Sequence, residues 1–266
     1  MDIDKISSLL KRCFKQNGVF YLHKDIIVNE ELEQLYLKVR TKEGHIYDDV
    51  IVSKLPDVQA DDINYKQWQV RKYSSQKLMR YLLKYNRVLS ILDLGCGNGW
   101  FSNKLAQISG SFVIGMDINR CELEQAVRIF KKDNLNFVYA DIFDEKISRI
   151  TFDIIILNAS IQYFPDIDKL INDLMAKLDP GGEIHILDTP LYTISNIEEK
   201  KNKSKLYYES IGFPMMINYY NHHLLSAFKK YKPDILYDPG GAVNKIKRFI
   251  NPECHSPFPW LRIENK

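Results

Sequence analysis

Between Ile91 and Phe101 a strand-like run, Ile91-Leu92-Asp93-Leu94, meets three glycines at alternate positions, Gly95, Gly97 and Gly99, and passes at once into the helix-competent Trp100-Phe101. Glycine allows positive φ and lets a ligand approach the main chain closely. A loop of this kind at the end of a buried strand restricts the surrounding chain to an open α/β sheet. Ligands of such sheets sit in the crevice outside the carboxyl ends of the strands.

The flanking pattern agrees. From Val88 onward, apolar stretches of strand length alternate with helical ones, which predicts parallel strands joined by crossover helices. Strands are expected over residues 89–94, 111–117, 136–140, 152–157 and 183–187, each rich in Ile, Leu, Val or Phe as strands covered on both faces are. Helices are expected over residues 100–108, 120–132 and 167–178, the last stopped by Asp179-Pro180-Gly181-Gly182. The predicted fold class is therefore α/β, a Rossmann-like doubly wound sheet. It is mostly parallel, with an antiparallel last strand drawn from residues 234–237 and 259–263.

Two regions stand apart from this alternation. Residues 1–60 read as an amino-terminal accessory segment, with an amphipathic helix over 6–14 and strands over 18–22 and 45–52. A helix carrying Trp68, Val70, Leu78 and Leu82 then leads into a main domain spanning 61–266. After the fifth strand, a charged stretch over 196–206 gives way to aromatics, Met and a Gly-Phe-Pro turn. This predicts a lid insertion over about 191–217, followed by a helix over 219–230.

Spacing narrows the ligand. A dinucleotide site uses G-x-G-x-x-G with the pyrophosphate on the helix N-terminus, whereas this loop runs G-x-G-x-G and has Asp93 before it. A carboxylate in that position suits a cationic ligand. A second acid, Asp117, closes the second strand 24 residues beyond Asp93, where it can accept hydrogen bonds from ribose hydroxyls. Together these motifs resemble the class I S-adenosylmethionine-dependent methyltransferases, whose first motif is an acid, one spacer and G-x-G-x-G.

The resemblance covers roughly residues 88–190 and implies S-adenosylmethionine as cofactor. On that footing Asp93 orients the methionine part, Asp117 takes the ribose and Asp141 lies near the adenine amino group. Gly95, Cys96, Gly97, Gly99, Ile118, Ile142 and Asn158 complete the implied lining, and Arg71 is placed to pair with the cofactor carboxylate. Asn158 does not begin the Asn-Pro-Pro-aromatic sequence of amino-methylating DNA enzymes. The implied acceptor is a small molecule, and His222 and His223 in the insertion are the expected catalytic residues, since imidazole can move protons near neutral pH. His185, alternating with Ile184 and Ile186, reads as a satisfied core histidine.

Composition bounds the alternatives. The charge of +3 comes from 37 basic and 34 acidic residues, which gives no case for a nucleic-acid partner. The first residues mix charges and no apolar run reaches the ~20 residues of a membrane span, so no membrane partner and a cytoplasmic location are expected. Cys13, Cys96, Cys121 and Cys254 form no C-x-x-C pair, so free thiols and no metal site are expected. A nicotinamide-dependent oxidoreductase and a non-catalytic S-adenosylmethionine-binding protein are the competing readings.

Overall fold

The computed structural model describes residues 3–24, 28–242, 244 and 255–265. Its main sheet contains β1 (Phe14–Gln16), β2 (Val19–Tyr21), β3 (Leu89–Leu94), β4 (Ser111–Asp117), β5 (Leu135–Tyr139), β6 (Phe152–Asn158), β7 (Leu178–Leu187), β10 (Asp234–Tyr237) and β11 (Trp260–Glu264). A separate parallel pair is formed by β8 (Leu191–Tyr192) and β9 (His223–Leu224). The main order is β1-β2-β5-β4-β3-β6-β7-β11-β10. Strands β2 through β7 pair in parallel along this order, while β11 runs antiparallel to β7 and β10 antiparallel to β11. The mostly parallel doubly wound sheet with antiparallel closing strands is thus the one the sequence predicts.

Period-two alternation explains why both faces are covered. Leu89 and Ile91 of β3 join Ile154 and Ile156 of β6 in one core, beneath α4 (Tyr65–Leu82), α5 (Trp100–Leu105) and α6 (Arg120–Ile129). Leu92 and Leu94 join Ile155 and Leu157 in the other, beneath α1 (Ile3–Arg12) and α7 (Ile167–Ala176). A third, smaller core brings Leu32 and Val39 of α2 (Glu30–Lys42) against Tyr208 of α8 (Ile197–Ser210) and Met216. It roofs the carboxyl ends of the central strands, joining the amino-terminal segment to the insertion.

Several elements differ from expectation. Residues 45–52 are not a strand: Asp48 Oδ1 accepts the Ile51 N–H at 2.8 Å and caps a short helix, α3 (Asp49–Val52). An N-cap aspartate here outweighs the β-branched composition. Within the amino-terminal segment, β2 pairs with β5 and extends the main sheet. The helix expected over 219–230 is absent. Asn221 N donates to Gln162 O at 2.7 Å, His223 and Leu224 pair with β8, and a 3-10 turn covers Leu225–Tyr231. Long-range pairing overrides the local pattern there. The Asp179-Pro180-Gly181-Gly182 stop lies inside β7, which starts at Leu178 and shifts register against β6 between Phe152 and Ile154. Among the described residues no helix is long and apolar enough to cross a membrane, and no group of acids, histidines and cysteines could hold a metal. Cys254 lies outside the described residues.

Candidate active site

The glycine loop is fixed by its neighbours. Gly95 N and Cys96 N both donate to Met116 O, at 2.8 and 3.2 Å, so the loop leans on the end of β4. Gly99 has φ +73°, and a Cβ there would lie 2.6 Å from the Phe137 ring. Gly95 has φ +76°, with Ser160 packed so that an added Cβ would meet its Cβ at 2.4 Å. The backbone needs glycine at both positions on two counts, conformation and space.

Three carboxyl groups surround this loop. Asp93, only 1% exposed, accepts the Ser102 hydroxyl at 2.6 Å, and burial raises its carboxyl to about 7. Asp117 accepts N–H groups from Gly97 at 2.8 Å, Ile118 at 2.7 Å and Asn119 at 2.9 Å. Burial raises its pKa too, and those three N–H groups oppose the rise. Glu122, in the first turn of α6, is pushed up to about 7 by burial and then by Asp117. Concentrated buried negative charge of this kind disfavours an anionic ligand and favours a cationic one.

Three adjoining cavities open here. The first, of about 300 Å³, takes in Gly95, Gly97, Asp117, Ile118, Asp141 and Ile142. The second, of about 70 Å³, is lined by Arg71, Asp93, Cys96 and Asn158 together with Arg40 and Glu122. The third, of about 640 Å³, lies between α2, α4 and α8 and is walled by Tyr207, Tyr208 and Tyr220. Tyr36 and Ala159 line all three. All but one of the residues expected at the cofactor therefore fall in the first two cavities. Gly99 lines neither and packs beneath the loop on Phe137. The Cys96 thiol is driven well up by burial and by Asp117, the opposite of what a nucleophile requires.

The two histidines expected to be catalytic line none of these cavities. His222 lies beside the Ser204 hydroxyl at 2.9 Å and between the rings of Tyr192 and Tyr220. His223 is buried, with Nε2 3.2 Å from Ile161 O, and burial lowers its pKa. His222 thus packs against the aromatic wall at Tyr220. His185 is fully buried, between Glu183 Oε2 at 3.0 Å and the Trp260 indole N–H at 3.1 Å, as a satisfied core histidine is. Sequence reasoning missed Tyr36, Arg40 and Glu122, which carry no motif. Only the i, i+4 spacing of Tyr36 and Arg40 hints that they share a helix face, and the guanidinium lies 5.7 Å over the ring.

The small chamber holds unspent polar groups of both kinds. Asn158 Oδ1 and Arg40 Nε are buried without a hydrogen-bond partner among the described residues. Arg71 sits 4.7 Å over the Trp68 ring, and none of the ion pairs among the described residues includes it. Acceptors and donors of both signs in a small chamber match an amino-acid head group. A dinucleotide fits poorly, because the Gly97 N–H that a phosphate would use is already given to Asp117.

Residues 85–224, more than half of the chain, match the family model described as a methyltransferase domain. The chain belongs to the methyltransferase-domain family. Among curated relatives, this chain is 33% identical over 118 residues to malonyl-[acyl-carrier protein] O-methyltransferase 1 of Ilyobacter polytropus, covering 44% of each chain. It is 27% identical over 118 residues to the sterol 24-C-methyltransferase of Saccharomyces cerevisiae, covering 42% of this chain and 31% of that one. The match thus spans less than half the length of these relatives. The plantazolicin methyltransferase BpumL, solved with S-adenosylhomocysteine, superposes with TM-score 0.53 at 18% identity, over 90% of this chain and all of that one. A Mesorhizobium loti S-adenosylmethionine-dependent methyltransferase gives TM-score 0.52 at 17% identity, over 72% of this chain and 97% of that one. These two superpositions establish likeness of fold.

Proposed function

We propose that this chain catalyses methyl transfer from S-adenosylmethionine to a small-molecule acceptor seated in the 640 Å³ cavity. The observation that carries the reading is the meeting of three cavities at Tyr36 and Ala159, directly over the glycine loop. In this reading Asp117, Ile118, Asp141 and Ile142 bind the nucleoside, with Gly95 and Gly97 giving the backbone close access. Asp93, Cys96, Asn158 and Arg71 hold the amino-acid end, and Gly99 fixes the loop from beneath. When bound, S-adenosylmethionine supplies an electrophilic methyl group on a positively charged sulfur.

The chain's own residues then do two things. Buried carboxylates favour the cationic cofactor over its neutral product, and Tyr36 with Ala159 brings the acceptor cavity to the transferring end. The aromatic wall excludes water from that junction. A cavity between α2 and α8 fits a small or peptide-like acceptor better than a duplex, and a cytoplasmic location belongs to the same proposal. The O-methylating and C-methylating names of the curated relatives leave the attacking atom open.

Two measurements test this. Calorimetry is expected to show S-adenosylhomocysteine binding at one site, with NAD giving no heat. Transfer of labelled methyl to an acceptor separates an enzyme from an inert binder. Binding of NAD in preference to S-adenosylhomocysteine would contradict the reading.

A further inference from the structure

The first residue after β7 is an aspartate in an unusual setting. Asp188 has φ +50°, in the left-handed region that side chains other than glycine rarely occupy, and it is 7% exposed. Strain of this kind persists where the surroundings dictate it and gathers at functional sites. Here the dictating partners are visible: Ser74 Oγ of α4 donates to Asp188 Oδ1 at 2.6 Å, and Ser256 Oγ approaches the same oxygen at 3.4 Å. The other oxygen, Oδ2, is buried and has no hydrogen-bond partner among the described residues.

The place of Asp188 in the fold gives its carboxyl group a use. Ala159, common to all three cavities, donates its N–H to Leu187 O at 3.0 Å, so Asp188 follows immediately at the same junction. Asp188 lines the acceptor cavity and neither of the other two. An orphaned buried carboxylate oxygen costs free energy unless a ligand supplies a donor.

We infer that Asp188 is the proton acceptor for the acceptor substrate, which therefore presents an O–H or N–H group to the transferring methyl. The inference rests on the methyltransferase reading and adds the acceptor's chemical class. In the step, the lone pair of the acceptor oxygen or nitrogen forms the new bond to the methyl carbon. The electron pair of the broken carbon–sulfur bond stays on sulfur, and the O–H or N–H proton passes to the Asp188 carboxylate.

The electrostatics suit the task. Burial raises the Asp188 carboxyl to about 6, opposed by the Ser74 hydrogen bond and by Arg71, so near neutral pH it is an ionised base of useful strength. Lys77 and Tyr237 also face it from α4 and β10. Across the cavity Lys66 and Lys203 add positive charge, while Glu43 is engaged by Arg40 at 3.1 Å and by the Tyr207 hydroxyl at 2.8 Å. His255, beside Ser256, faces Tyr73 at 3.3 Å. None of these places a second carboxylate against Asp188.

The test uses the full chain, methyl-labelled S-adenosylmethionine and three matched single-ring probes, phenol, aniline and benzoate. Label is expected in phenol or aniline, with a rate that falls on the acid side. Asp188→Asn should cut that rate by roughly 10²- to 10⁴-fold and abolish the acid limb while S-adenosylhomocysteine still binds. Ser74→Ala should move the acid limb to higher pH, because it removes the hydrogen bond that holds the carboxyl down, whereas a purely structural role would leave the limb in place. Label in benzoate alone, a wild-type pH profile in Asp188→Asn, or no label in either O–H or N–H probe by a protein that binds S-adenosylhomocysteine overturns the assignment. Failure to bind S-adenosylhomocysteine overturns the cofactor reading itself and the assignment with it.

Discussion

The main-chain N–H of Gly97 donates to Asp117 Oδ2 at 2.8 Å, so one carboxylate both ties the loop after β3 to the end of β4 and lines the 300 Å³ cavity. Its two oxygens take three N–H groups in all and retain acceptor capacity toward the cavity.

Asp117→Ala is expected to weaken S-adenosylhomocysteine binding by about 1–3 kcal/mol, the cost of leaving buried donors unpaired. Calorimetry measures the loss, and a thermal melt separates it from unfolding. An unchanged dissociation constant would assign Asp117 to loop closure alone.

Gly99→Ala should destabilise the fold by about 1–3 kcal/mol, since the new Cβ inherits a left-handed backbone and a collision with Phe137 at 2.6 Å. Denaturant unfolding reads this directly. A wild-type midpoint would show that the loop can relax.

Asp93 and Glu122 give a pH dependence with a definite sign. Each has a folded pKa of about 7, above its ordinary 3.8 or 4.5, so each binds its proton more tightly when folded. Their stabilising contribution is complete below about pH 4 and is lost as pH rises through about 7. Glu122→Gln should therefore raise the thermal midpoint of the ligand-free chain more above pH 7 than below pH 5. Equal shifts at both ends would contradict the buried ionisation.

His223→Ala should cost about 0.5–1.5 kcal/mol of stability, because it removes the buried imidazole 3.2 Å from the Ile161 carbonyl, which keeps only the Phe164 N–H at 3.1 Å. S-adenosylhomocysteine affinity should be unaffected, since His223 lines neither cofactor cavity. Paired melts and calorimetry on the variant check both parts.

What the sequence disclosed and what it withheld follow from the range of the interactions. The central strands were legible because each is rich in Ile, Leu, Val or Phe, and the loop because Gly95, Gly97 and Gly99 all adopt positive φ, which glycine takes without strain. The acids that line the first two cavities, Asp93, Asp117 and Asp141, were legible because strand ends fix their place. Tyr36, Arg40 and Glu122 reach the site only because α2 and α6 fold over it, and the Glu33–Arg120 pair at 2.8 Å that fastens α2 to α6 spans 87 residues. No local pattern encodes such a pairing. His222 and His223, expected to be catalytic, line none of the three cavities for the same reason: a helix over 219–230 would have presented them differently from the short strand and turn that β8 imposes.

The most direct test of the central claim is a calorimetric titration of the full chain with S-adenosylhomocysteine, run beside NAD. One saturable site is expected for S-adenosylhomocysteine, weakened by Asp117→Ala, and no heat from NAD. Saturable NAD binding with no response to S-adenosylhomocysteine would contradict it.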